Sequence, residues 1–345
     1  MNTPIFSTKT LWSPNEHYSN HRIPGMIVTN KGTLIAYCEA RTSESDWAMM
    51  DIIMQRSTNR GETFAPPYVL AKGTEKMRTV NNPVMVQDKN GRIHFFYCEN
   101  YTVSGGRALR RYSDDDGITW SDPIDITEST NPDYHNAFAF GPGHGVISLD
   151  GAVIIPVWMV PKEAGESVTS HTPSVISTLY SYDYENWQLG EMLMASEEIK
   201  SPNETSAAIT SDGMIYLNVR IVGSCRAQAY SKDGHTNWIN YSLNRQLQDP
   251  QCFGSVIAYD DHKHPYSILF AKCKSESSRT HVTVSVSTND GQAYQISRLI
   301  DERRGGYAEL AADAKNGIIY LLYEENFGHK DHLAIFNYEW LISNN

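Results

Sequence analysis

The chain has 345 residues, which is enough for two ordinary domains or for one large all-β unit. A hydrophobic content of 40% with 11% aromatic residues supports a packed core and excludes an intrinsically disordered chain. The formal net charge is −11 and no run of lysines or arginines stands out, so a nucleic-acid partner is disfavoured. An anionic ligand would therefore need a local cluster of arginines that acts against the overall field.

The cysteines and the first residues bear on the compartment in which the protein works. Residues 1–10 contain no apolar segment of a signal peptide, and no apolar run reaches membrane-spanning length. The five cysteines show no C-x-x-C spacing, which favours free thiols in a reducing compartment: Cys38, Cys98, Cys225, Cys252 and Cys273. We expect a cytoplasmic protein with no membrane partner, or a secreted or periplasmic one if a signal peptide has been removed.

Histidine pairs are the only pattern that suggests a metal. His262 and His264, and likewise His329 and His332, lie in loop-like segments with no further ligand of the zinc type nearby. We therefore expect neither a metal nor another cofactor.

One short turn recurs along the chain, and residues 113–120 show it in its fullest form. Aspartate carboxylates there can accept hydrogen bonds from nearby backbone N–H groups, Gly117 can adopt a positive φ, and Trp120 can cover the turn. The same frame, or a variant of it, recurs at residues 57–64, 181–187, 231–238 and 287–294. The opening serines lie 50 to 68 residues apart, a spacing typical of repeat architectures.

Short β-rich runs lie between these turns. Many are joined by Asn-Gly or Asp-Gly, as at residues 90–91, 212–213 and 316–317, which is a strong hairpin signal. No stretch shows sustained helical periodicity and no linker divides the chain. The sequence therefore predicts an all-β protein with a single domain, residues 1–345, built as a β-propeller of about six repeated units.

Three arginines lie beside predicted strands in different repeat units. Arg22 comes directly before a strand, Arg220 ends one and Arg279 begins one. Strand ends converge on the axis of a radial fold, where three planar guanidinium groups could bind a carboxylate. The alternative is that each arginine pairs with a surface acid, which is the commoner arrangement for any one arginine alone.

These features together resemble the sialidase (neuraminidase) superfamily, and within it the bacterial exo-alpha-sialidases of glycoside hydrolase family 33. The resemblance rests on Arg22-Ile23-Pro24, on the repeated turns (Asp boxes) and on the strand-bound arginines, and it runs from Arg22 to Glu324. Further matching segments are residues 38–41, 141–145, 202–204, 251–255 and 322–324. It implies a six-bladed β-propeller of four-stranded antiparallel blades with Asp-box turns.

The resemblance also implies a catalytic set. Tyr307 matches the nucleophile, Glu204 the carboxylate that takes its proton, and Asp46 the general acid/base on a loop. A tyrosine nucleophile is the family's departure from the usual pair of carboxylates. Asp51 is the competitor of Asp46, but it opens an apolar strand, whereas Asp46 lies in a polar loop. We therefore favour Asp46.

The implied binding residues surround an acidic sugar. They are Arg22, Arg220 and Arg279 for its carboxylate, Glu324 beside the first of these, and Arg41 and Asn82 at its 4-hydroxyl. Asn82 stands where many bacterial members carry aspartate.

The predicted function is an exo-alpha-sialidase that hydrolyses terminal sialic acid from glycoconjugates with retention, through a tyrosine-linked covalent intermediate. A related exo-glycosidase for another acidic sugar (KDN, Kdo or a uronic acid) is kept open by Asn82 and by the unusual residues 270–273. A non-catalytic carbohydrate-binding propeller is the alternative from another class. The sequence leaves the oligomeric state open.

Overall fold

Strands dominate the structure, a computed structural model that describes residues 3–102, 105–162 and 171–343. The strands of the first half are β1 (Phe6–Trp12), β2 (Asn20–Val28), β3 (Leu34–Arg41), β4 (Met50–Ser57), β5 (Tyr68–Ala71), β6 (Val80–Gln87), β7 (Ile93–Thr102), β8 (Gly105–Ser113), β9 (Ile124–Asp125), β10 (His135–Phe140), β11 (Gly143–His144), β12 (Val146–Ile147) and β13 (Val153–Pro161). Those of the second half are β14 (Val175–Ser181), β15 (Gln188–Leu189), β16 (Thr205–Ile209), β17 (Ile215–Val219), β18 (Cys225–Ser231), β19 (Ile239–Gln248), β20 (Ser255–Tyr259), β21 (Ser267–Cys273), β22 (Thr280–Ser287), β23 (Ile296–Asp313), β24 (Ile318–Glu325) and β25 (Lys330–Phe336). The described residues also contain short 3-10 helices at Thr127–Thr130 and Ala314–Asn316 and an α-helix, α1, at Tyr338–Ile342.

The strands form mainly antiparallel sheets whose order follows the chain. Two sheets are simple four-stranded meanders, β2-β3-β4-β5 and β16-β17-β18-β19. Two others extend the same plan: β6-β7-β8-β9 gains β11, parallel to β6, and β10-β13-β14-β15 gains β12. The predicted all-β class with antiparallel sheets is therefore confirmed.

A seven-stranded sheet, ordered β1-β25-β24-β23-β22-β21-β20, joins the two ends of the chain. The long strand β23 pairs with β22 through Arg304 and then with β24 from Gly305, so two four-stranded groups share it. The N-terminal β1 lies antiparallel to β25, with Phe6 opposite Phe336. This pairing connects the first strand of the chain to the last group of strands.

The inner strands of neighbouring sheets contact one another. β2 packs against β6 and β23, and β16 packs against β20. Nearly every residue of β2 and β6 is buried, because these strands are covered on both faces. The arrangement is propeller-like, and it brings strand ends that are distant in sequence to one central region.

The recurring turns have the predicted hydrogen bonds. Ser113 Oγ accepts from Gly117 N at 2.8 Å, and Asp115 Oδ1 accepts from Thr119 N at 2.8 Å. Gly117 has a φ of 80°, which a side chain at that position would disfavour. In two of the other recurring turns an asparagine replaces the aspartate as the hydrogen-bond acceptor. Asn59 accepts from Thr63 N and Asn289 accepts from Ala293 N, each at 3.0 Å.

One local expectation was wrong. Arg22 lies inside β2 rather than directly before a strand, because β2 continues through an irregularity between Arg22 and Gly25. The short helix α1 has only five residues, which are too few to show helical periodicity in the sequence. Trp340 of this helix stacks on Phe6 with ring centroids 4.1 Å apart, so it covers the edge where β1 joins the sheet. None of the helices in the described ranges has the length and apolar character needed to cross a membrane.

We predict that Asp115→Ala destabilises the protein whereas Asp115→Asn does not. Alanine removes an acceptor of backbone hydrogen bonds, which is expected to cost about 1 kcal/mol, as for loss of a helix-capping side chain. Asparagine keeps the acceptor oxygen, as Asn59 and Asn289 do in two of the other recurring turns. Urea unfolding followed by fluorescence measures the difference; equal midpoints for the two variants would contradict this account.

Candidate active site

A cavity of about 560 Å³ opens where the inner strands converge. Eight of the nine predicted site residues line it: Arg22, Arg41, Asp46, Asn82, Glu204, Arg220, Arg279 and Tyr307. The ninth, Glu324, lies behind the wall and accepts hydrogen bonds from three of the residues that form it. The structure thus brings all nine to one place, while their individual roles stay predictions.

Tyr307 and Glu204 form the polar centre of the cavity. The Tyr307 hydroxyl lies 2.5 and 2.7 Å from the two carboxylate oxygens of Glu204 and donates its hydrogen to them. Burial, and next the Glu204 carboxylate, raise the pKa of Tyr307 well above its ordinary value. The phenol is therefore neutral at rest, with a proton acceptor already in contact.

The β16–β17 hairpin places Glu204 and Arg220 side by side. Glu204 directly precedes β16, Arg220 directly follows β17, and the Arg220 N–H donates to the Glu204 carbonyl at 3.1 Å. The Arg220 side chain donates from one guanidinium nitrogen, Nη1, to both partners: the Glu204 carboxylate and, at 2.9 Å, the Tyr307 hydroxyl. One cation thus contacts both members of the pair.

Glu324 connects Arg22 to Tyr307 from beneath the cavity. One oxygen accepts from Arg22 Nε at 2.9 Å and from the Ile23 N–H at 3.0 Å, and the other accepts from the Tyr307 N–H at 3.0 Å. Gly306 permits this approach, since a Cβ there would lie 2.0 Å from the carboxylate. Burial disfavours the charge on Arg22, but Glu324, Tyr307 and Asp46 together more than offset it, so the pKa of Arg22 is raised.

The remaining member of the arginine group, Arg279, directly precedes β22 and donates to the Gln251 carbonyl at 2.9 Å. The guanidinium carbons of Arg22 and Arg279 each lie 5.4 Å from the centre of the Tyr307 ring. With Arg220 at the hydroxyl, three cations surround one phenol in a protein of strongly negative net charge. This is the local cationic cluster that an anionic ligand would need.

A second group of charges lies across the cavity. Arg41 donates from Nε to Glu39 at 2.8 Å and from Nη1 to Asp46 at 2.6 Å. The other Glu39 oxygen accepts from the Asn82 N–H at 2.7 Å. Burial alone would raise the pKa of Asp46, but the charge and hydrogen bond of Arg41, together with the charge of Arg22, outweigh it, so the pKa of Asp46 is lowered. The Asp46 side chain is 54% exposed at the mouth, where a leaving group could reach it.

Asp51, the alternative to Asp46 as the general acid, is bonded to neighbouring protein groups outside the cavity. It accepts from the Tyr18 hydroxyl at 2.6 Å and from the Gly73 N–H at 2.9 Å, and it is not among the cavity residues. The geometry therefore favours Asp46 as the acid that can meet a ligand.

Residues 270–273, which kept another acidic sugar open, do not reach the cavity. Phe270 and Lys272 are buried in β21, and the Lys272 ammonium donates to the Gln248 carbonyl and lies 5.5 Å from the Phe270 ring. Burial lowers the pKa of Lys272 to about 7. This stretch therefore gives no support for a different substrate.

Sequence reasoning missed several residues of the site. Glu39 is fully buried and holds Arg41 and Asn82; an acid two residues before an arginine, in an otherwise apolar strand, was the available signal. The cavity wall also includes Trp158, His171 and Phe327, which no motif marks. Within the described ranges no group of three or more His, Cys, Asp or Glu side chains is placed to hold a metal ion.

Comparison with known proteins assigns the family. The BNR repeat-like domain family matches residues 32–321, which is most of the chain. The chain belongs to this family. An exo-alpha-sialidase of Arthroderma benhamiae is 26% identical over 98% of this chain and 90% of its own length. A sialidase of Micromonospora viridifaciens is 28% identical over 98% of this chain, but the chain spans only 55% of that protein.

A solved structure supports the same fold. The Hadza microbial sialidase Hz136 superposes with a TM-score of 0.82 over 95% of this chain and 67% of its own, at 24% identity. The predicted membership of this BNR repeat-like protein in the sialidase superfamily, and with it the glycoside hydrolase class, is confirmed by the family match and the two sialidase relatives.

We predict that Glu324→Ala strongly destabilises this BNR repeat-like protein. The substitution leaves the Arg22 guanidinium buried without its counter-charge, which is expected to cost about 3 kcal/mol. Thermal and urea unfolding measure the loss. The control is Glu302→Ala, an exposed acid on the same strand as Tyr307. A Glu324→Ala midpoint equal to that of the control would show that Glu324 does not anchor the site.

Proposed function

We propose that the protein is an exo-alpha-sialidase that removes terminal sialic acid from glycoconjugates with retention, through a covalent intermediate on Tyr307. The observation that carries the proposal is the Tyr307 hydroxyl bonded to Glu204 inside a group of three guanidiniums. The named activities of the sialidase relatives support it.

The arginine group suits a 2-keto sugar acid, whose carboxylate is attached to the anomeric carbon. Arg22, Arg220 and Arg279 would bind that carboxylate, and this would place the anomeric carbon beside the Tyr307 oxygen. A carboxylate nucleophile would be repelled by the substrate's own charge, whereas a neutral phenol is not. The neutral state of Tyr307 therefore fits this substrate class.

The first step would form the bond between the Tyr307 oxygen and the anomeric carbon. Glu204 takes the phenolic proton, the glycosidic C–O bond breaks, and Asp46 donates a proton to the departing oxygen. In the second step Asp46 removes a proton from water as the water attacks the anomeric carbon. The Tyr307–carbon bond then breaks and Glu204 returns the proton to Tyr307. Two inversions give net retention.

We also infer six blades of four strands. Support comes from the four sheets that each contain a four-stranded meander, together with the two groups that share β23. The single domain over residues 1–345 and the cytoplasmic location remain proposals of the same kind.

Another acidic sugar remains the second candidate because of one observation. Asn82 presents a neutral amide at the cavity, with its Nδ2 3.4 Å from the Phe140 carbonyl and its Oδ1 accepting from Asn81 at 3.0 Å. A neutral amide discriminates less strongly among hydroxyl patterns than a carboxylate would. A binding propeller without activity would have no use for the Tyr307–Glu204 pair or for Asp46.

The test is a panel of 4-methylumbelliferyl glycosides of N-acetylneuraminic acid, KDN and glucuronic acid. We expect the first to be hydrolysed fastest, and Tyr307→Phe to lower its turnover by at least about 10³-fold because the nucleophile is lost. Arg279→Ala should raise KM about 10- to 100-fold, since a charge-assisted hydrogen bond contributes about 1.5–3 kcal/mol. Tyr323→Phe, a buried tyrosine of β24 outside the cavity, is the matched control. Wild-type rates in Tyr307→Phe would overturn the assignment, and faster KDN or glucuronide cleavage would favour the second candidate.

The role of Asp46 is tested by changing the leaving group. An aryl alcohol departs without a proton, whereas a sugar alcohol needs one. We expect Asp46→Asn to lower kcat/KM for 3′-sialyllactose by about 10²–10⁴-fold and to change kcat/KM for the methylumbelliferyl substrate much less. Asp51→Asn is the control at the competing position. An equal loss on both substrates would mean that Asp46 does not act as the general acid.

A further inference from the structure

Exposed apolar side chains lie on the loop of Asp46 and at the cavity itself. Trp47 and Met49, on the same loop as Asp46, are 38% and 37% exposed. Val222, which lines the cavity from another repeat unit, is 40% exposed. Large apolar side chains at the rim of a polar site are typical of a surface that binds another molecule.

An aromatic wall runs from inside the cavity to this rim. Trp158 lies deep in the wall with 4% exposure, and His171 packs edge-on against it with ring centroids 5.4 Å apart. His171 in turn lies 6.3 Å from the Trp47 ring, with the two planes 30° apart. Burial lowers the pKa of His171, so its ring is uncharged at neutral pH and presents a flat, weakly polar surface.

The position of this wall follows from the chemistry of Asp46. Under the proposed function, on which this inference rests, Asp46 protonates the oxygen between sialic acid and the next sugar. That next sugar must therefore lie against the Asp46 side of the mouth, whereas the sialic acid occupies the interior beside Tyr307. Trp47 follows Asp46 in the chain and its ring contacts the ring of His171, which lines the cavity, so we place the indole at the edge of the space that the leaving sugar takes.

We propose that Trp47 and His171 form a binding subsite for the leaving sugar, a hexose with an apolar C–H face such as the galactose of a sialylated glycan. Stacking of that face on the indole removes apolar surface of both partners from water. The subsite would make the enzyme prefer glycan substrates to sialosides with a small leaving group.

The experiment compares two substrates, 3′-sialyllactose and the methyl α-glycoside of N-acetylneuraminic acid. The released sialic acid is measured for both. We expect Trp47→Ala to lower the ratio of the two kcat/KM values at least fivefold, mainly through KM for sialyllactose, and to weaken product inhibition by lactose. Trp47→Phe keeps a ring and should retain most of the ratio. Tyr68→Ala, an exposed aromatic on the outer strand β5, is the matched control and should leave the ratio unchanged.

Each other outcome is decisive. If Trp47→Ala leaves the ratio of kcat/KM values unchanged, the proposed subsite is wrong. An equal loss of kcat/KM on both substrates would also overturn it, because Trp47 would then act only on the Asp46 loop or on the sialic acid itself. Release of sialic acid by the wild type in those experiments would leave the proposed function intact. No release from either substrate by the wild type would overturn the proposed function and the subsite together.

Discussion

The hydrogen bond from the Tyr307 hydroxyl to Glu204 is the interaction on which the proposed chemistry depends. It requires a buried phenol and a buried carboxylate, from positions 103 residues apart in the chain, to meet within 2.5–2.7 Å. Isolated burial of Glu204 would be costly, and contact with the Arg220 guanidinium offsets this cost. In the proposed mechanism this carboxylate accepts the proton of the phenol.

Rigid support for this bond comes from backbone groups as well as side chains. Glu324 accepts hydrogen bonds from the Tyr307 N–H and the Ile23 N–H, so Tyr307 and the Arg22 segment are fixed by one carboxylate. Ile23 has a φ of 57°, an unfavourable value for a β-branched residue, at the point where β2 and β3 lose register. The strained residue turns both the Arg22 side chain and a backbone donor toward Glu324, and the hydrogen bonds there offset the strain.

Structure could be predicted from the sequence most directly where a local conformation requires particular residue types. The Asp-box turns were predictable because only small acceptor side chains and a positive-φ glycine complete them, and the same logic located Tyr307 once its segment had been matched to a family. His171 and Trp158 could not be predicted, since a cavity wall is made by residues that share no spacing or motif. The pairing of β1 with β25 was equally invisible, because it joins segments more than 300 residues apart.

The charges around the cavity are nearly balanced, so a bound anion would change the protonation of the carboxylates near it. Four guanidiniums face four carboxylates: Arg22, Arg41, Arg220 and Arg279 against Glu39, Glu204, Glu324 and Asp46. A bound sialic acid would add a fifth negative charge, and its presence favours protonation of the most exposed carboxylate, Asp46. Arg41 helps to keep the pKa of Asp46 low, yet the first step of the proposed mechanism needs Asp46 protonated. In that mechanism the incoming anion would supply the field that protonates Asp46, so that substrate binding and the protonation of Asp46 would favour each other.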